Sequence, residues 1–270
     1  MRCEVYIVLT CIVSFVSSLS CSREDNLVID QSMTRKTKII AHRGFWNAEG
    51  AYENSISSAR AAIAIGADGI ELDVWITADD SVIVNHDETY HGLDILSSSY
   101  SELVSYLLPN GEKLPTIRDF LLLLKDYPNE ELFIEIKANR AVDRLVEILR
   151  EESFSNPVKF ISYSRIACDH LISLDPSFHI EPLHPLGEDM SPSRLFDCGY
   201  SGIAYNSNYY HENSSVIYEV KNLGMTLSSW IVNTQDEYDW CLRNGFEYAI
   251  TNYPNTLVDL TKLNLFYWQK

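Results

Sequence analysis

An α/β fold with a mainly parallel sheet is the architecture this sequence predicts, on three observations. From Lys38 onward, short apolar runs rich in β-formers alternate with stretches of helical pattern. The run Leu132–Ile136 is almost continuously apolar, as a strand covered on both faces must be. No Pro/Gly/Ser-rich linker, composition shift or internal repeat interrupts the pattern after residue 38, so a single domain over 38–270 is the economical reading.

The predicted strands are Ile39–Ala41, Gly69–Thr77, Val82–Asn85, Leu132–Ile136, Val158–Ser162, His179–Leu183, Gly202–Tyr205, Thr226–Val232 and Tyr248–Thr251. Helical stretches lie between most of them, at Ser55–Ile65, Ser101–Leu107, Ile117–Lys125, Ala141–Glu151, Ile166–Leu174, Val216–Leu223 and Glu237–Arg243. Nine strands is one more than an eight-stranded barrel holds. The surplus comes from Gly69–Asn85, whose halves are separated only by Ala78, Asp79, Asp80 and Ser81. That gap is too short for a crossover helix and reads as a turn. A hairpin about Asp79–Asp80 sets Asp73 opposite His86. A short parallel crossover is the alternative, and it too leaves both residues at strand ends.

The N-terminus is a targeting segment. Arg2 precedes a mostly apolar Val5–Val16, then Ser17, Ser18, Leu19 and Ser20 lead to Cys21. The apolar run is too short for a membrane span. Small residues before a Cys resemble a bacterial lipoprotein signal over residues 1–20, with Cys21 lipidated, although Ser18 stands where that signal usually has Leu. The alternative is an ordinary secretory signal with an incidental Cys21. Residues 21–37 are polar and read as a tether. Export to a bacterial cell envelope, with the membrane reached by a lipid anchor only, is the resulting expectation. Cys168, Cys198 and Cys241 match no common zinc spacing and read as buried thiols behaving as small hydrophobes.

With 46% apolar and 22% charged residues, the chain is globular. Its 21 Lys and Arg against 38 Asp and Glu leave a formal charge of −17, which excludes a broad basic surface for nucleic acid. A small anionic substrate remains compatible, given local positive charge or a metal.

The chemistry-bearing residues gather at strand ends. The first strand runs into His42-Arg43-Gly44, the second contains Glu71-Leu72-Asp73, the third ends in His86-Asp87, and the fourth contains Glu135 followed by Lys137. Strand residues two apart share a face, so Glu71 pairs with Asp73 and Glu135 with Lys137. Inward carboxylates repel one another unless they are ion-paired or hold a hard cation, one Ca²⁺ or Mg²⁺. Each residue alone has a bland reading: a satisfied histidine, or carboxylates neutralised by Arg43 and Lys137 with no metal. Their joint position, where barrel active sites lie, favours a metal-assisted acid/base site.

These residues carry a resemblance. Ala41-His42-Arg43-Gly44, Glu53-Asn54-Ser55, Gly69 through Val74, His86-Asp87, Leu114-Pro115-Thr116, Glu135-Ile136-Lys137, Trp230 through Asn233 and Ile250 through Pro254 occur in order and are similar to the glycerophosphodiester phosphodiesterase family. The resemblance implies a (β/α)₈ TIM barrel that splits glycerophosphodiesters into glycerol 3-phosphate and an alcohol. It implies His42 and His86 as the catalytic pair, acting through a cyclic phosphate, and Glu71, Asp73 and Glu135 as ligands of one divalent cation. Arg43 and Lys137 are then phosphate-binding, Trp230 lines the site, and Glu53 supports it from behind.

Two departures stand out. The chain reads Glu88-Thr89-Tyr90-His91-Gly92 where many members have an Arg-Thr-Thr-like stretch, and Asn252 where Asp is common. Competing readings are a phospholipase C- or D-like barrel acting on intact lipids, a hydrolase of another ester, and a non-catalytic tethered binding protein. An apolar patch at the site mouth would favour the first. Loss of a His or a ligand would favour the last, and none is missing. Oligomeric state is not legible.

Overall fold

The structure is a computed structural model that describes residues 37–187 and 189–258. The export signal, Cys21, the tether up to residue 36 and the tail from residue 259 lie outside the described residues.

The chain begins with β1 (Lys38–Ala41), α1 (Ile56–Ile65), β2 (Gly69–Ile76) and β3 (Val82–Val84). A small insert follows, with β4 (Thr89–Tyr90), β5 (Leu93–Asp94) and α2 (Tyr100–Leu103), before α3 (Ile117–Leu124) and β6 (Glu131–Ile136). Then come α4 (Ala141–Glu151), β7 (Val158–Ser162), α5 (Arg165–Leu174), β8 (His179–Pro182), α6 (Pro192–Asp197) and β9 (Gly202–Asn206). The last elements are α7 (Ser207–Glu212), α8 (Ser215–Asn222), β10 (Thr226–Trp230), α9 (Gln235–Asn244) and β11 (Tyr248–Thr251).

Eight strands run parallel in the order β8-β7-β6-β2-β1-β11-β10-β9. The two ends of this order meet: Ser201 N–H donates to Ile180 O at 3.0 Å, drawing β9 toward β8. The result is a nearly closed (β/α)₈ barrel. Its interior is filled by Ile40, Phe133, Ile161, Leu183, Ala204, Tyr248 and Ile250, with Trp230 packed against them. A larger apolar layer joins the outer strand faces to the helices.

The ninth strand is the antiparallel hairpin partner of β2, off the barrel path. Its register pairs Val74 with Val84, so Asn85, not His86, faces Asp73; Asn85 N–H donates to Asp73 O at 3.0 Å. The one-residue correction has a local cause. The turn closes between Thr77 N–H and Ser81 O at 2.9 Å, which centres it on Asp79. The expected strand Thr226–Val232 stops at Trp230, although Val232 N–H still donates to Ile250 O at 2.8 Å. The expected helix Ser101–Leu107 is a single turn, Tyr100–Leu103, capped by a Ser99–Glu102 box. Among the described residues, no helix is long and apolar enough to cross a membrane. Cys168, Cys198 and Cys241 are free thiols; Cys168 and Cys241 are buried as expected, whereas Cys198 is only partly buried.

Candidate active site

The barrel's C-terminal mouth is built from the loop after β1, the ends of β2 and β6, and the foot of the β3 hairpin. β2 and β6 are neighbours in register, which sets Asp73 beside Glu135. Glu71 and Asp73 are almost wholly buried, and Glu135 nearly so. Each offers one oxygen, and the three oxygens lie within 4.8 Å of one another.

The loop after β1 is shaped by backbone sterics. Gly44 has φ +76°, and a Cβ there would stand 2.3 Å from Ser58 Oγ. Only glycine lets the chain lie this close to the first turn of α1. Arg43 itself takes φ 56°, a left-handed conformation that costs a non-glycine residue about 1–2 kcal/mol. Its contacts offset that cost: the main-chain N–H donates to Glu71 Oε2 at 2.9 Å, Nη1 donates to Glu53 at 2.6 Å, and Nε lies 3.3 Å from Asp73. Glu53-Asn54-Ser55 gives each residue a different task. Glu53 orients Arg43, Asn54 exchanges two hydrogen bonds with Asp73 (2.8 and 3.2 Å), and Ser55 caps α1.

Charge at this centre is unbalanced. Lys137 Nζ donates to Glu135 at 2.7 Å and sits 3.2 Å from Asp73 Oδ1, while Arg43 serves Asp73 and Glu53. Burial pushes the Glu71 carboxyl well up, helped by Asp73 and Glu135. Burial and then Asp73 push Glu135 up to about 7. Burial works the same way on Asp73, but Lys137, the Asn54 amide and Arg43 outweigh it and hold that carboxyl below its usual value. Two cations therefore keep one carboxylate firmly ionised and leave the other two short of positive charge. Glu71 Oε1 is buried and accepts no hydrogen bond. Hard oxygen donors, an excess of negative charge and an open acceptor fit a divalent cation of the Ca²⁺ or Mg²⁺ type.

The two histidines stand in contrasting settings. The side chain of His42 is 17% exposed, with Nδ1 at 2.8 Å from Asn252 Oδ1 and Nε2 at 3.8 Å from Glu71. Burial drives it down to about 4, against the pull of the Asn252 hydrogen bond. The side chain of His86 is 39% exposed and pairs through Nδ1 with Asp87 at 2.7 Å; the Trp75 indole donates to its carbonyl at 3.2 Å and Asn85 Nδ2 to that of Asp87 at 2.7 Å, fixing the hairpin foot. A buried histidine held neutral and an open one paired with a carboxylate are suited to opposite proton-transfer roles.

Opposite these charged groups, Trp230 donates to Ala204 O at 2.8 Å and meets Tyr163 edge-on at 6.0 Å, and Tyr163 stacks with His184 at 5.2 Å. Tyr163 lies near the carboxylates: burial, then Glu135, pushes its hydroxyl up to about 12. The sequence reading named Trp230 but not Tyr163 or His184, which follow β7 and β8 and belong to no motif. Asn54 and Asn252 both lie inside motifs, but the sequence gives Asn54 no role and marks Asn252 only as a structural position where a carboxylate is replaced. All of the expected site residues converge on this mouth.

Comparison with known proteins agrees with this geometry. Residues 42–256 match the model of the Glycerophosphoryl diester phosphodiesterase family. A glycerophosphodiester phosphodiesterase of Caldanaerobacter subterraneus subsp. tengcongensis is 26% identical over 244 residues, spanning 84% of this chain and 98% of its own length. The crystal structure of a glycerophosphodiester phosphodiesterase from Parabacteroides distasonis superposes with a TM-score of 0.79 at 32% identity, over 87% of this chain and 99% of that one. A phosphodiesterase of Oleispira antarctica, solved with the product sn-glycerol-3-phosphate, shares the fold at a TM-score of 0.74 and 18% identity, over 86% and 99% of the two chains. With the histidines, the carboxylate triad and the barrel on one side and a match from residue 42 to 256 on the other, the chain is a hydrolase of the glycerophosphodiester phosphodiesterase family.

Proposed function

We propose that the enzyme hydrolyses small glycerophosphodiesters to glycerol 3-phosphate and an alcohol, by a metal-dependent, two-histidine route through a cyclic phosphate. The observation that carries this reading is the buried triad of Glu71, Asp73 and Glu135, with Glu71 Oε1 unpartnered, set beside two histidines and two cationic side chains. Glu71, Asp73 and Glu135 hold the ion, Ca²⁺ or Mg²⁺, which when bound supplies Lewis-acid stabilisation of the charge on phosphoryl oxygen.

The side chains divide the remaining work. The Arg43 fork, steadied by Glu53, and the Lys137 ammonium bind phosphoryl oxygens. One histidine takes the proton of the glycerol 2-hydroxyl as its oxygen bonds to phosphorus. The bond from phosphorus to the departing alcohol breaks, and the second histidine gives that alcohol its proton. Water then opens the cyclic phosphate with the roles reversed, returning the 2-hydroxyl its proton. Each histidine supplies about 10²–10⁴-fold. Trp230, packed against the apolar barrel interior, lines the site beside the substrate.

The decisive assay incubates the protein with glycerophosphocholine, glycerophosphoethanolamine and glycerophosphoglycerol, with Ca²⁺, Mg²⁺ or excess chelator, and detects glycerol 3-phosphate. Release that needs a cation is expected, and it is expected to vanish in His42→Ala, His86→Ala and the double variant Glu71→Gln with Asp73→Asn. Near-normal turnover in either histidine variant, or an unchanged metal requirement in the double variant, would falsify the scheme. The N-terminal signal leads us to propose attachment to the bacterial cell envelope through Cys21. Cys21→Ser is expected to move activity from the membrane to the soluble fraction, and activity that stays membrane-bound overturns the anchor.

A further inference from the structure

We infer that Asn252 and Trp46 are positioning residues that select the ring tautomer of His42, and thereby make it the proton acceptor of the first step. The inference rests on the reaction proposed above and adds the device that aims one of its histidines.

Asn252 sits just past β11 and is held through its main-chain N–H, its carbonyl and its Oδ1. Its N–H donates to Asn233 Oδ1 at 3.0 Å, and its carbonyl accepts from Asn47 Nδ2 at 3.0 Å. Its Oδ1 meets two ring nitrogens, Trp46 Nε1 at 3.4 Å and His42 Nδ1 at 2.8 Å. An indole N–H can only donate, so the amide atom facing it is the oxygen. A flipped amide would set NH₂ against that donor. With the oxygen placed, His42 Nδ1 carries the proton and Nε2 is left with its lone pair.

That choice has a competitor. Nε2 lies 3.8 Å from Glu71 Oε2, too far for a hydrogen bond but close enough for the carboxylate to attract a ring proton. Without Asn252, a proton on Nε2 would be drawn toward the carboxylate, and the nitrogen needed by the substrate hydroxyl would be a donor. Thr251 O accepts from the His42 main-chain N–H at 2.9 Å, so β11 holds the residue by backbone and by ring.

The test uses the full chain with ¹⁵N-labelled histidine rings, chelated and cation-loaded, with His42→Gln to assign the signal. The wild type is expected to show a protonated Nδ1 and a bare Nε2 on His42. Asn252→Leu keeps the bulk and removes the acceptor. It is expected to redistribute the ring proton and to lower kcat about 10²-fold with KM changed less than about threefold, the size of one misdirected base. Asn252→Asp is expected to restore both. Trp46→Phe, which frees the amide to flip, is expected to give a mixed ring signal and a smaller loss of kcat, and it stands in if Asn252→Leu does not fold. A proton on Nε2 in the wild type, an unchanged ring signal in Asn252→Leu and Trp46→Phe, or no rescue by Asp overturns the inference. The ring spectrum needs no turnover, so a failure of the reaction scheme and a failure of this device are read separately.

Discussion

Two glutamates on β6 stand four residues apart, both buried and both facing the barrel axis, yet their surroundings are opposite. Glu131, at the floor, is ion-paired with Lys38 and lies 3.4 Å from Lys159, whose ammonium sits 4.8 Å over the Tyr248 ring. Burial tends to raise its carboxyl, but Lys38 and Lys159 prevail and hold it below the usual value. Glu135, at the mouth, shares Lys137 with Asp73 and is pushed up to about 7 by burial and that neighbour. Burial alone therefore does not mark a functional carboxylate. What separates the two is charge balance: two lysines for Glu131 below, and Glu71, Asp73 and Glu135 above sharing Lys137 with an Arg43 that also serves Glu53. A balanced cluster holds strands together, whereas an unbalanced one is poised to accept a cation.

Exchanging each glutamate for its amide breaks this comparison most sharply. Glu135→Gln is expected to lower kcat/KM by more than about 10²-fold while leaving the metal-free protein at least as stable, because it removes surplus buried charge. Glu131→Gln is expected to do the reverse. It leaves Lys159 buried without its partner and costs roughly 3 kcal/mol of stability, with kcat little changed. Steady-state kinetics and thermal unfolding of the two variants decide, and matching profiles would remove the distinction.

A smaller effect is expected from pH. Glu135 rises to about 7, from a usual value of 4.5, and so does Glu130, through burial and then Asp68. A carboxyl raised by folding binds its proton more tightly in the fold. Its contribution is complete below the unfolded value and is lost as pH climbs through the folded one. Metal-free stability is therefore expected to decline between about pH 4.5 and 7, by at most about 1.4 kcal/mol per pH unit for each group. Added cation should cancel the part owed to Glu135 and to Glu71, whose carboxyl burial also raises, and release protons near pH 6, and Glu130→Gln should cancel the part owed to Glu130. A flat melting profile for the chelated protein, or cation binding without proton release, would contradict this account of the mouth.

Much of the charged half of the site is legible in the sequence because strands place alternate residues on one face and barrels put their chemistry at strand ends. That reasoning reaches His42, Glu71, Asp73 and Glu135 directly, and it identifies the ninth strand as a hairpin. It misses the register by one, since turn closure by Thr77 and Ser81 is a hydrogen-bonding event that residue spacing does not show. It misses α6 and α7, each only six residues long and too short for a helical period to emerge. Tyr163 and His184 escape because they meet only in space, across two loops. Asn54 and Asn252 are visible as letters, but their work depends on which atom faces which partner.

The hairpin at β2 and β3 has one more consequence. β2 and β6 pair directly in the barrel, although some fifty residues separate them; α3 in that stretch joins the main apolar layer, whereas the insert packs on a smaller cluster of Ile83, Tyr90, Ile95, Leu103, Leu108 and Leu114. While β3 and α3 on either side belong to the barrel's own packing, the pairing of β2 with β6 is thus made without the insert between Glu88 and Leu114. In engineering terms it is a cassette: a piece of different length or chemistry can be spliced between Glu88 and Leu114, and the strands that hold the carboxylates need not shift to receive it.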